Sequence, residues 1–221
     1  PNGRVQGICG NVLLGNDFIK ELLWAGKFES LSSVVIVPES KVIKTHGKVA
    51  VIAQPACDSY CHFMHELLGR LALLEMQGME YDYLYVSVSK PFMQEMLELW
   101  GVDVRKIISP TQNNCCIQAE TLILPSLVLN SNIGFVNAGF RPHPQTSEYV
   151  KNKLFQGALR QNIDVSRFSK KVFISRKDAP QRKIINEDQI FELFEPYGFV
   201  SYELGTLTVA EQIMLLTNAD I

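Results

Sequence analysis

Short runs of β-branched and aromatic residues alternate along this chain with longer stretches of helical period, and that alternation confines it to an α/β fold with a mainly parallel sheet. The runs at 34–37, 48–53, 83–88, 106–108, 121–124, 171–175 and 200–203 are expected as strands. Helices are expected over 59–77, where Asp58 or Ser59 can cap, over 91–100, opened by Pro91 and closed by Gly101, and over 146–161. A fourth opens at Asn186, whose side chain can accept from the amide of Gln189 while Gln189 reaches back, and it closes before Gly198; the last spans 209–218. The stretch 129–144, rich in Asn, Gly and Pro and without a usable period, is expected as an irregular loop of the kind that lines active sites. A new strand-helix-strand-helix series follows it. The expected domains are therefore 1–144 and 145–221, the second one stopping at Asp220-Ile221, where a buried strand should just be starting.

With 221 residues, of which 47% are hydrophobic and 20% charged, the chain has enough apolar material for one full core and part of another. A formal net charge of -2 supplies no general basic field, so nucleic acid is not an expected partner and any phosphate recognition must come from a local cluster. The longest apolar runs, such as 34–37 and 49–53, are far short of the roughly 20 residues a membrane helix needs, so no membrane span is expected in this chain. The opening Pro1-Asn2-Gly3-Arg4 has neither an initiator Met nor a signal-peptide pattern.

Cys57 and Cys61 stand four apart with His62 and His65 directly after them, but zinc usually takes two ligand pairs, and a second exists only if Cys115 and Cys116 fold back. No metal is expected. The odd total of five cysteines, Cys9 included, shows no disulfide framework and leans towards a reducing compartment. A Gly-x-Gly-x-x-Gly loop is absent, which argues against a nicotinamide or flavin cofactor.

Chemistry concentrates in two places. On a wheel of about 100° per residue, the helix around 60–74 puts Tyr60, Phe63, Met64, Leu67, Leu68, Leu71 and Leu74 on one side. His62, Glu66 and Arg70 fall on the other at four-residue steps, with His65 and Gly69 at its edge, so a base, an acid and a cation share a face. Gly69 leaves room for a close neighbour. This helix follows directly on the strand 48–53, and sites in open α/β sheets lie at the carboxyl ends of strands. The plain alternative is an exposed face with an ordinary Glu66–Arg70 pair. The second place is the end of the strand 171–175, where Ser175 and Arg176 lead into a loop with Lys177, Arg182 and Lys183 and then a helix amino terminus. Cations and free amides gathered there suit a diphosphate, and arginine can grip two oxygens at once. The plain alternative is a basic surface loop.

Together these segments resemble glycosyltransferase family 61. The family's aromatic-x-His helix, with an acid four residues after the His and an Arg-Leu close behind, is matched by Tyr60, His62, Glu66 and Gly69-Arg70-Leu71. Its Ile-Ser-Arg segment is matched by Ile174-Ser175-Arg176, followed by Ala179, Arg182, Asn186 and Glu187. Its Leu-Ser-x-x-Glu-Gln helix is matched by 207–212, ahead of Asn218-Ala219-Asp220. Ser59 and Gly69 depart from the pattern, standing where Asn and Pro are usual, and Pro180-Gln181 interrupt a stretch that is often Arg-rich.

The resemblance implies two Rossmann-like domains of the GT-B type, the second incomplete in this chain, and an inverting, metal-independent transfer of a sugar from a nucleotide-diphosphate donor to a hydroxyl of a glycan or surface polysaccharide. The donor is a co-substrate, and no cofactor is implied. In those terms His62 or Glu66 is the base, Ser175, Arg176, Arg182 and Lys183 hold the donor phosphates, and His65 and Arg70 line the acceptor side of a cleft. Family members act in the cytoplasm in bacteria, including at the inner membrane face, and in the secretory lumen in eukaryotes. Two other readings stay open at this stage: a non-catalytic fragment or carbohydrate-binding module of the same fold, and a metal-dependent hydrolase using His62 and His65.

Overall fold

The computed structural model describes residues 3–19, 35–55, 58–112, 114–126, 128 and 143–220. The chain divides into two units, Pro1–Gln94 with Val102–Lys151 and Glu95–Gly101 with Asn152–Ile221.

Seven strands make the sheet of the first unit: β1 (Gly3–Gln6), β2 (Asn11–Leu14), β3 (Asp17–Phe18), β4 (Ile43–Val51), β5 (Tyr83–Tyr85), β6 (Ile107–Ile108) and β7 (Cys116–Ile123). They lie in the order β3-β2-β1-β7-β4-β5-β6. β7, β4, β5 and β6 run parallel, as the alternation predicts. β1 is antiparallel to both β7 and β2, and β2 to β3, so the sheet is mixed. The antiparallel part comes from residues 3–18, which carry too few residues per strand for a period to show. Its turns use Gly7, Gly10 and Gly15 at φ of 74°, 64° and 65°, a region costly for residues with a Cβ.

The last three residues of β4, Val49–Val51, are buried on both faces, the usual fate of a central parallel strand, while the strand's first half is largely exposed. Val49, Val51 and Ala53 join Val5, Val12, Tyr85, Ile117 and Ala119 in one core cluster, while Ala50 and Ile52 alternate to the other side and are equally buried. The expected strand at 34–37 is not one where it is described: Val35 and Val37 are coil, and the side-chain amide of Gln6 takes the place of a strand partner by donating to Val35 O at 2.7 Å and accepting from Val37 N at 3.0 Å.

The helix expected over 59–77 forms as three consecutive pieces: α1 (Tyr60–His62), a π-helical turn (Phe63–Leu67) and α2 (Leu68–Met76). α3 (Pro91–Trp100) has the expected bounds and ends at Gly101 with φ of 94°. α4 (Pro144–Leu159) starts two residues earlier than its pattern suggests. The loop expected at 129–144 falls largely outside the described residues.

In the second unit β8 (Val172–Ser175) pairs in parallel with β9 (Val200–Glu203), joined through α5 (Glu187–Phe194), and α6 (Val209–Asn218) follows. Phe173 is the hub of an aromatic cluster, 5.2 Å from Phe191 and 5.9 Å from Phe194 between ring centroids. α4 lies directly on α3: a Cβ on Gly157 would come within 2.2 Å of Leu99 O, the carbonyl to which Arg160 also donates at 3.0 Å. Asn186 stands at the N-cap position of α5, as expected, but its side chain makes no capping hydrogen bond, and Glu187 turns back towards β8. The capping box sits instead at Thr208 and Glu211 of α6, a Thr-x-x-Glu signal legible in the sequence. Among the described residues no helix is long and apolar enough to cross a membrane.

Candidate active site

β4 ends at Val51, yet the chain stays buried through Ile52, Ala53 and Gln54, because the amides of Ile52 and Ala53 both reach Tyr85 O at 3.2 Å. The turn between β1 and β2 closes over this segment. The Tyr85 hydroxyl donates to Gly7 O at 3.0 Å, and a Cβ on Gly10 would stand 2.7 Å from Ala53 O, so only glycine permits that approach. The first candidate site is thus built at the carboxyl ends of parallel strands, where open α/β sheets place their ligands.

Helical geometry then decides which side chains face this edge. At the π turn the amide of Leu68 reaches back five residues to Phe63 O, so one residue more than an α-turn holds is accommodated. Residues 66–72 are buried right round the helix, Glu66 and Arg70 being 1% and 2% exposed, so the alternative of an exposed face does not hold.

Arg70 is enclosed. Its guanidinium donates to Pro125 O from Nε at 3.2 Å and Nη2 at 3.0 Å, and from Nη1 to Ile52 O at 3.2 Å and Ala53 O at 3.0 Å. It ties α2 to the strand-end segments after β4 and β7. Burial lowers its pKa to about 10, against the opposing pull of Glu66, so it stays protonated at neutral pH. Beside it, Gly69 provides the room its sequence position suggested: a Cβ there would meet Val128 at 2.9 Å.

Glu66 has both oxygens engaged. Oε1 faces Nδ1 of His62, and Oε2 accepts from the side-chain amide of Gln54, itself 1% exposed. The His62 side chain is 27% exposed, so the imidazole is the member of this chain of contacts that solvent reaches. With Nδ1–H directed at a carboxylate, the acceptor lone pair of the neutral ring is on Nε2. His65, in the π turn, is partly buried, and that burial pushes its pKa below the ordinary histidine value, with Glu66 acting the other way. Among the described residues no three His, Cys, Asp or Glu side chains are grouped to hold a metal ion; Cys57 lies outside them.

The second candidate site stands at the end of β8. Glu187, the first residue of α5, is 5% exposed and accepts from the Ser175 hydroxyl and, at 2.8 Å, from the Arg176 amide. Ser175 Oγ also accepts from Lys177 N at 3.1 Å. Ser175 is therefore buried and braces the loop. The guanidinium of Arg176 donates to the carbonyls of Arg182 at 3.1 Å and Gln181 at 3.0 Å, closing the loop on itself. Lys177 Nζ lies 2.5 Å from Asp188. Arg182 and Lys183 are exposed, and Arg182 has φ of 56°, an uncommon left-handed conformation for a side chain of that size. Asp178 accepts from Gly205 N at 2.8 Å and so joins this loop to the one after β9.

Of the expected site residues, the structure brings His62 and Glu66 into contact, brings Arg176 against the backbone of Arg182, and puts Arg70 and Ser175 inside. Gln54 was missed, although a polar residue closing the apolar run 49–53 is a signal for it. A family model described as Glycosyltransferase 61 matches residues 60–221, beginning at the first residue of α1 and including His62, Glu66 and the loop after β8, while Gln54 precedes the matched segment. This is an α/β protein of the glycosyltransferase class. The chain belongs to the glycosyltransferase 61 family. No curated protein and no solved structure matches it.

Proposed function

We propose that this glycosyltransferase moves a sugar from a nucleotide-diphosphate donor to a hydroxyl of a glycan acceptor, with inversion at the anomeric carbon and with His62 as the base. The observation that carries this reading is the burial gradient along Gln54, Glu66 and His62: the carboxylate is enclosed with both oxygens engaged, and the imidazole it orients meets solvent. An enclosed carboxylate is poorly placed to touch an acceptor but well placed to fix a tautomer and stabilise an imidazolium. Nε2 of His62 takes the hydroxyl proton as the acceptor oxygen attacks, and the bond to the departing diphosphate breaks on the opposite face.

Leaving-group charge needs cations or donors. In this reading Arg182 and Lys183 supply them, while Arg176, Ser175 and Glu187 keep their loop in shape. The GT-B arrangement of two Rossmann-like domains belongs to the same proposal, and the β8-α5-β9-α6 series supports it. The test is a panel of UDP- and GDP-sugars with small hydroxyl acceptors, scored by nucleoside diphosphate release and by the anomeric configuration of the product in NMR. Release with an inverted product is expected. Neither release nor calorimetric binding of any member would favour a non-catalytic module.

A further inference from the structure

We propose that Gln54 is a positioning residue that fixes the carboxylate of Glu66 and, through it, the proton-bearing nitrogen of His62. This rests on the reading of His62 as the base. Gln54 is the last buried residue of the strand-end segment after β4, and its amide is 1% exposed and donates to Glu66 Oε2. A carboxylate buried beside one imidazole can rotate about its last side-chain torsions and present either oxygen, or neither, to Nδ1. A neutral donor on the far oxygen removes that freedom while leaving the negative charge in place. The amide is suited to this task because it adds no charge and cannot compete with the imidazole for the proton.

Among the described residues, the titratable and charged groups acting around Glu66 include His62, His65, Cys61 and Arg70 on its own helix. From the strand-end segment it is Gln54 that meets the carboxylate. Replacing Gln54 with an ionisable residue of the same shape makes this donor depend on pH, and that gives the proposal its test. In Gln54→Glu the two carboxyls share one proton at lower pH, and that proton bridges them as the amide hydrogen did. When it leaves, two like charges face each other and Glu66 is driven off His62.

The experiment reads the ring nitrogens of His62 by 15N NMR between about pH 6 and 9, and needs no substrate. The native protein is expected to hold the neutral ring as the Nδ1–H tautomer throughout. Gln54→Leu is expected to shift the ring towards Nε2–H, which prevails in unconstrained histidine. Gln54→Glu is expected to keep the native tautomer at the acid end and lose it at the alkaline end. Transfer measured on the same samples with whichever UDP- or GDP-sugar the native protein uses should follow the tautomer, with KM within about twofold and kcat down about tenfold in Gln54→Leu. An unchanged ring in both variants overturns the proposal, as does a Gln54→Glu protein that has lost the tautomer at every pH. A tautomer that shifts while transfer stays at the native rate upholds the positioning role and removes His62 from the reaction.

Discussion

Nδ1 of His62 meets Oε1 of Glu66 four residues further along a helix whose intervening turn is π rather than α. The contact joins a side chain that water reaches to one that it does not, at the edge where β4 ends. Imidazole, carboxylate and side-chain amide thus come from one helix and the strand segment just before it. If the imidazole accepts the proton, Glu66→Gln and His62→Ala should each lower transfer at least ~100-fold. Steady-state rates on the identified donor check this, and rates within a few-fold of native in both variants would remove the helix from the mechanism.

Arg70 should matter to stability more than to chemistry. Arg70→Leu leaves the carbonyls of Ile52, Ala53 and Pro125 without their donor, and at on the order of 1 kcal/mol or more for each such group the loss should be roughly 3 kcal/mol. Arg70→Lys should recover little of it, since a single ammonium cannot span carbonyls held by a planar fork. Urea unfolding checks both variants.

The β1–β2 turn should tolerate no side chain at Gly10. Its φ of 64° alone costs a residue with a Cβ about 1–2 kcal/mol, and the contact with Ala53 O adds to that. Gly10→Ala should therefore lower the urea midpoint and also reduce transfer, because the strain falls on the residue beside Gln54. Gly15→Ala, with a similar φ but open space around its Cβ, should cost stability and leave transfer unchanged.

His65 should make stability depend on pH. Its folded-state pKa lies below the ordinary value, so at low pH the unfolded chain binds a proton that the folded one resists. The resulting stability is fully present above the unfolded pKa of about 6.5 and is lost as pH falls through the lower folded value. Unfolding at about pH 7.5 and 5.5 should show the native protein weakening more than His65→Gln; equal weakening would assign the loss to another group.

At the second site, Arg182→Ala and Lys183→Ala should weaken nucleoside diphosphate binding by calorimetry without lowering the unfolding midpoint, as exposed cations do. Glu187→Ala should lower both. It removes the acceptor that Ser175 and the Arg176 amide share, and so loosens the loop that carries the cations.

What the sequence made legible follows from which signals are local. α3 and α6 have the bounds their start and stop residues suggest, Pro91 with Gly101 and the residue after Thr208, because caps and breakers act within one turn. The parallel strands were legible from apolar runs, but β1, β2 and β3 were not, since strands of four and two residues joined by glycine turns carry no period. In the site, the spacing of His62 and Glu66 announced a pair. The burial of Glu66 and Arg70 was hidden, because it depends on contacts distant in sequence, such as those of Arg70 with carbonyls at the ends of two strands. Ser175 read as a ligand for the same reason: its partner Glu187 is 12 residues away and becomes a neighbour only once α5 packs on β8.

The most direct test of the account is chemical rescue. His62→Ala should transfer sugar at about one hundredth of the native rate or less, and added imidazole should restore part of that rate in proportion to the concentration of its neutral form. A His62→Ala protein that transfers at the native rate, or whose residual rate is indifferent to imidazole while Glu66→Ala responds to added carboxylate, would assign the base to Glu66 and contradict it.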